Sequence, residues 1–173
     1  MNLYKIHKAF ANPYQNHQAL KNLFLGEGRV LFQNLGSSLL VLSQIKLSDE
    51  YRNNFLIDFL DIDNCLNGDI MNFSIRLNAC KGSQGKRYTL KEDEFERWVD
   101  WKMGQAGVSL VKKSIHNEGV IVSDRQGGHC YHASLFVSGI LKVEDRVLFS
   151  KSVELGIGHG KAFGFGLLNV FTC

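Results

Sequence analysis

Apolar residues recur along this chain with two periods, and the change from one to the other marks where strands give way to helices. Leu3 to Phe10 alternates, with Leu3, Lys5, His7 and Ala9 on one face and Tyr4, Ile6, Lys8 and Phe10 on the other, which predicts a strand with the second set inward. Asn12 can cap a helix whose first turn holds Pro13, where a missing N–H costs nothing. That helix should run to about Phe24, with Leu20, Leu23 and Phe24 as its buried stripe and Gly26 and Gly28 ending it. Arg29 to Leu35 and Leu39 to Ile45 read as strands joined by Gly36-Ser37-Ser38. A short helix over Ser48 to Asn53 and a strand over Phe55 to Ile62 complete the set, and this order is that of a ferredoxin-like unit.

Asn67-Gly68 is the best internal boundary, because a fresh strand, Ile70 to Ala79, starts a second copy of the pattern just after it. The basic segment KGSQGKR follows, and then a helix from about Lys91 to Gln105 with Phe95, Trp98, Val99, Met103 and Ala106 inward. Val108 to Lys112, Gly119 to Val122 and Tyr131 to Leu141 are extended, with Phe136 read as core. Asp145 to Leu155 suits a short helix, and Leu167 to Phe171 closes the sheet. The predicted fold is therefore α+β, with two tandem ferredoxin-like (RRM-like) domains built on antiparallel sheets, residues 1–66 and 67–173.

Composition narrows this reading only slightly. A hydrophobic fraction of 45% over 173 residues supports a sizeable core and excludes disordered or fibrous classes. The formal net charge of +3 permits a nucleic-acid partner without requiring one. The start MNLYKIHKAF lacks a secretory signal, and no apolar run approaches the roughly 20 residues that span a bilayer, so a cytoplasmic protein without membrane contact is expected. Cys65, Cys80, Cys130 and Cys173 form no CxxC pair and read as free thiols. His129, Cys130 and His132, with Cys80 or Cys173 as distant partners, match no zinc spacing, so neither a metal site nor a cofactor is expected.

Two segments carry candidate chemistry. In NPYQNHQALKNLF, Tyr14, His17 and Lys21 stand three and four residues apart and share a helix face. An imidazole there can exchange protons near neutral pH. RNA supplies its own nucleophile, the 2′-hydroxyl beside each phosphate. A base, an orienting group and positive charge therefore suffice to cut it to a 2′,3′-cyclic phosphate and a 5′-hydroxyl. His17 suits the base, Tyr14 the orienting or proton-sharing group, and Lys21 the countercharge. The second segment, Gly156 to Gly166, has glycines at alternating or near-alternating positions, which expose backbone amides, while His159 and Lys161 add polar and basic side chains. It is not a nucleoside-triphosphate loop, since Ala162 stands where a hydroxyl should meet magnesium, nor a dinucleotide fingerprint, since no βαβ unit can follow it.

The strings LYKIHKA…NPYQNHQAL, FSIRLNACKGSQGKRYTL and GIGHGKAFGFGLLNV, in that order, make the chain resemble the CRISPR repeat-processing endoribonucleases of type I-E, or Cascade, systems. The resemblance implies metal-independent cleavage at the base of a repeat hairpin, retention of the guide RNA and assembly with other subunits of a surveillance complex. It places the active-site pair on Tyr14 and His17 and the terminal loop, with Gly158, His159, Gly160 and Lys161, against the RNA. Stem contacts fall on Lys81, Lys86 and Arg87, a surface that Lys112, Lys113, Arg125 and His129 could extend. The free enzyme is expected to be a monomer. The competing expectations are a catalytically inactive subunit that only binds the hairpin and a structural component without RNA preference.

Overall fold

The computed structural model describes residues 1–7, 9–24, 28–45, 47, 56–59, 64–83, 86–125 and 128–171. Its first half runs β1 (Asn2–Ile6), α1 (Pro13–Leu23), β2 (Val30–Asn34), β3 (Leu39–Ser43) and β4 (Leu56–Phe59). The second runs β5 (Ile70–Asn78), a hairpin of β6 (Cys80–Ser83) and β7 (Lys86–Thr89), α2 (Phe95–Gln105), β8 (Val108–Arg125), β9 (Gly128–Val143), α3 (Arg146–Leu155) and β10 (Asn169–Phe171). The sheets have the orders β2-β3-β1-β4 and β10-β5-β9-β8, antiparallel throughout. In each sheet the first and third of its four strands lie centrally, so both halves are ferredoxin-like and the fold class is the predicted α+β. The expected helix over 48–53 lies outside the described residues.

Helix α1 begins where the capping chemistry predicts. Asn12 Oδ1 accepts the Tyr14 amide at 3.0 Å, and Pro13 occupies the first turn. Leu20 and Phe24 then pack on Tyr4, Ile6, Phe32 and Val41, with the Tyr4 and Phe24 rings edge-on at 5.7 Å. The predicted single inward face of β1 is corrected here. Leu3 is buried as well, because Leu3, Leu31, Leu40 and Leu42 project from the back of the first sheet into the core of the second. A sheet covered on both faces shows no clean alternation. Phe10, expected inward, is exposed because the strand stops at Ile6.

In the second half, Val108–Lys112 and Gly119–Val122 are parts of one 18-residue strand, interrupted by irregularities between Leu110 and Lys112 and between Asn117 and Gly119. Each irregularity shifts the side-chain parity, which hides the continuity from an alternation count. Leu135 and Val137, not Phe136, take the core positions of β9, and Phe136 is half-buried. Val99, Met103 and Ala106 of the α2 stripe are buried, with Phe95 and Trp98 packed at its edge. Among the described residues no helix is long and apolar enough to cross a membrane.

Arg76 of β5 joins the halves. Its Nε and Nη2 donate to the two Glu118 carboxylate oxygens at 2.6 and 2.7 Å, and its Nη1 donates to the Asn34 carbonyl at the end of β2 at 2.7 Å. Ser134 Oγ also donates to Glu118. Burial alone would raise the Glu118 pKa. Hydrogen bonds from Arg76 and Ser134, with the charges of Arg76 and His116, outweigh it and hold the carboxyl below its ordinary value. A carboxylate with a depressed folded-state pKa stabilises the fold above the unfolded-state value, and that contribution is lost as pH falls through the folded-state value. Arg76→Ala should lower stability by about 2 kcal/mol, since it strips charged hydrogen bonds from a half-buried carboxylate. The shift is to be read as a lower urea midpoint at unchanged slope, and an unmoved midpoint would contradict the bridge.

Candidate active site

On α1 the three-and-four spacing does what it predicts. The Tyr14 and His17 rings lie 6.3 Å apart, and His17 is stacked toward Phe32 at 6.5 Å with an interplanar angle of 19°. Between them in sequence comes Asn16, wholly buried, whose Oδ1 accepts the Phe10 amide at 2.6 Å and whose Nδ2 donates to the Phe10 carbonyl at 2.9 Å. The chain entering the helix is thereby tied to the helix itself. Asn12 Nδ2 adds a tie to the far hairpin by donating to the Asp124 carbonyl at 3.1 Å. Neither role is visible in the sequence, where a buried asparagine and a surface one are written alike.

The glycine-rich segment closes on this helix from the other half. Gly156 leaves α3 with φ 74°, the Ile157 amide donates to the Gly166 carbonyl, and the Gly166 amide donates to the Arg76 carbonyl. A Cβ on Gly166 would lie 2.4 Å from the Ile157 oxygen, so only glycine fits. Between Gly160 and Gly164, both left-handed, Lys161–Phe163 form one 3₁₀ turn. Phe163 lies 6.1 Å from Tyr14. Gly158 has a positive φ with open space around it, and His159 is exposed.

The two segments enclose a cleft of about 510 Å³, whose wall includes His17, Lys21, Arg29, Lys161 and Ala162. Among the described residues no acidic side chain lines it. Arg29, which sequence reasoning did not single out, is held by Nη1 donating to the Leu155 carbonyl at the end of α3, at 3.1 Å. Burial and the Lys21 charge lower the His17 pKa below its ordinary value, so the imidazole is neutral near pH 7. Burial and the Arg29 charge likewise lower that of Lys161. The cleft thus offers a neutral base among three cationic side chains, a setting for a phosphate with a proton to remove beside it.

The other basic residues lie elsewhere. Lys81 is paired with Glu94, Lys113 with Asp100 of α2 at 2.6 Å, and His129 with Asp124 near the hairpin tip at 2.6 Å, while Lys112 is exposed. None of these four lines the cleft. The side chains of Lys86, Arg87 and Arg125 lie outside the described residues, although their backbones continue β7 and β8. Among the described residues no three His, Cys, Asp or Glu side chains are grouped to hold a metal ion. His129 is exposed, whereas His132 is buried with both ring nitrogens in hydrogen-bonding contact.

A family model described as CRISPR associated protein matches residues 2–171. The chain belongs to that family. Among solved structures, this CRISPR associated protein is similar to Thermus thermophilus Cse3 bound to an RNA representing a pre-cleavage complex. The identity is 22% and the TM-score 0.80, over 99% of this chain and 100% of the other. It is also similar to Cas6e from Escherichia coli K-12, with 24% identity and a TM-score of 0.74 over 100% of both chains. A chain from an E. coli Cascade structure bound to a double-stranded DNA target matches at 21% identity and a TM-score of 0.65, again over 100% of both. These likenesses establish a shared fold across the whole chain. The curated protein sequences compared with it contain no significant match.

Asn16→Ala removes both side-chain bonds to Phe10 and leaves a buried backbone pair without its partner. It should cost about 2–4 kcal/mol in denaturant unfolding. A loss below about 0.5 kcal/mol, the ordinary range for surface changes, would show that the helix entry needs no such tie.

Proposed function

We propose that this protein is a metal-independent endoribonuclease that cuts CRISPR precursor RNA at the base of the repeat hairpin. The observation that carries the reading is the half-buried, neutral His17 imidazole facing a cleft that Lys21, Arg29 and Lys161 also line. Family membership supports the choice of RNA, as does the likeness to Cse3, described as a CRISPR endoribonuclease and bound to a 19-nucleotide RNA.

In this reading His17 removes the proton of the ribose 2′-hydroxyl, and the freed oxygen attacks the adjacent phosphorus. The bond from phosphorus to the 5′-oxygen breaks, leaving a 2′,3′-cyclic phosphate, and the departing oxygen takes a proton from the Lys161 ammonium. Tyr14 orients the ribose. Lys21 and Arg29 offset the charge that builds on the phosphoryl oxygens, where a planar guanidinium anchored at one nitrogen keeps other donors for the substrate. Gly158, His159 and Gly160 let the loop backbone approach the strand.

The hairpin stem runs over the second half, residues 67–173, while residues 1–66 carry the cleavage helix. Lys81, Lys86, Arg87, Lys112, Lys113, Arg125 and His129 meet the stem phosphates. Exchanging the Lys81 and Lys113 ion pairs for phosphate costs little, because exposed pairs contribute about 0–1 kcal/mol. The product guide RNA stays bound, and the protein joins a Cascade-type complex in the cytoplasm, having been a monomer when free.

With repeat RNA and excess chelator, the wild type should cleave to a cyclic-phosphate end. His17→Ala should lose about 10³-fold in single-turnover rate while its Kd moves by less than about 3-fold. Uncleaved but tightly bound hairpin with the wild type would instead mark a binding subunit. At subsaturating protein the rate should rise with pH along a limb whose midpoint lies below pH 6.5, because burial and Lys21 lower the pKa of a base that must be unprotonated. A limb still rising well above that pH would exclude His17 as the base.

A further inference from the structure

His132 of β9 stands outside the cleft, yet its ring packs on the glycine-rich segment that borders it. The imidazole is 7% exposed, with Asn78 Nδ2 3.2 Å from Nδ1 and Ser123 Oγ 3.2 Å from Nε2. An amide nitrogen can only donate, so Nδ1 is the acceptor and Nε2 carries the proton that goes to Ser123. Both nitrogens are engaged and the ring cannot turn without breaking a bond, so the imidazole is held in one orientation.

Its ring packs on Phe163 at a centroid distance of 4.3 Å and on Phe165 at 5.4 Å. Phe163 ends the short turn that Lys161 begins, and its other neighbour is Tyr14 at 6.1 Å. Gly160 and Gly164 flank that turn in the left-handed region, which glycine enters freely because it has no Cβ, so neither residue contributes a side chain to hold the turn. Backbone hydrogen bonds from Phe163 and Phe165 to the Gly160 carbonyl close the turn, and Phe163 on His132 gives it a side-chain seat against the sheet.

We propose that His132 is a positioning residue: its immobilised ring seats Phe163 and, through that turn, fixes Lys161 and Tyr14 relative to the phosphate to be cut. The inference rests on the ribonuclease reading for its consequence, but the seat itself belongs to the free protein. A displacement of about 1 Å in such groups can cost about 10²-fold in rate.

Three variants separate ring packing from hydrogen bonding and from mere stability. His132→Gln keeps a polar group but loses the ring, His132→Phe keeps a ring but loses both hydrogen bonds, and Phe163→Leu removes the partner ring while leaving His132 untouched. The first readout is the Tyr14 ring signal in ring-¹³C-tyrosine protein without RNA, assigned by its absence in Tyr14→Phe. The second is single-turnover cleavage and Kd with repeat hairpin RNA. His132→Gln and Phe163→Leu should each displace the Tyr14 signal and slow cleavage about 30-fold with Kd within about 3-fold, whereas His132→Phe stays within about 5-fold of wild type in rate. A Tyr14 signal and rate unchanged in Phe163→Leu would overturn the proposal, as would His132→Phe proving as slow as His132→Gln, the pattern of a merely structural hydrogen-bonding residue. If the wild type itself fails to cleave, the ribonuclease reading falls, and the Tyr14 signal still decides the positioning role.

Discussion

The glycine segment can reach α1 only because its backbone approaches other backbone more closely than any side chain allows. Gly166 donates its amide to Arg76 and accepts from Ile157, and a Cβ there would overlap the Ile157 oxygen. The same Arg76 whose carbonyl receives that amide also grips Glu118 and the end of β2 with its guanidinium. One residue of β5 thus registers the first sheet, the long hairpin and the glycine loop against one another. Lys161 faces His17 across the cleft as a result of that register, since no local feature of either segment would bring them together.

Electrostatics then follow from the enclosure. Lys21, Arg29 and Lys161 converge on the cleft with no acidic partner in its wall among the described residues, a charge that an anion would relieve. The cost appears in the lowered pKa values of His17 and Lys161, each driven first by burial and then by a neighbouring cation. A bound phosphate would raise the His17 pKa again, so substrate binding and the basicity of the imidazole strengthen together.

How much of this could be read from the chain depends on whether the determining contact is local. The helix with Tyr14, His17 and Lys21 was legible because its cap, its proline and its spacing all lie within a dozen residues. Both sheets were legible from element order, which topology rules convert into strand neighbours. Arg29 was not, because it lies apart from both motifs and becomes part of the cleft only when α3 offers the Leu155 carbonyl. Asn16 was missed since burial of a polar residue reverses its usual meaning, and Leu3 because the second sheet covers the face that alternation assigns to water. The long β8 strand was broken into pieces by its own irregularities.

The central claim is that an imidazole on α1 activates the hydroxyl of the RNA itself. Replacing the single nucleotide before the severed bond by its 2′-deoxy form tests this directly, because it deletes the nucleophile and leaves every protein group in place. The account predicts that the wild-type protein binds this hairpin as tightly as the all-ribose one and leaves it intact. Cleavage of the deoxy-substituted strand at the same bond and at an undiminished rate would contradict it.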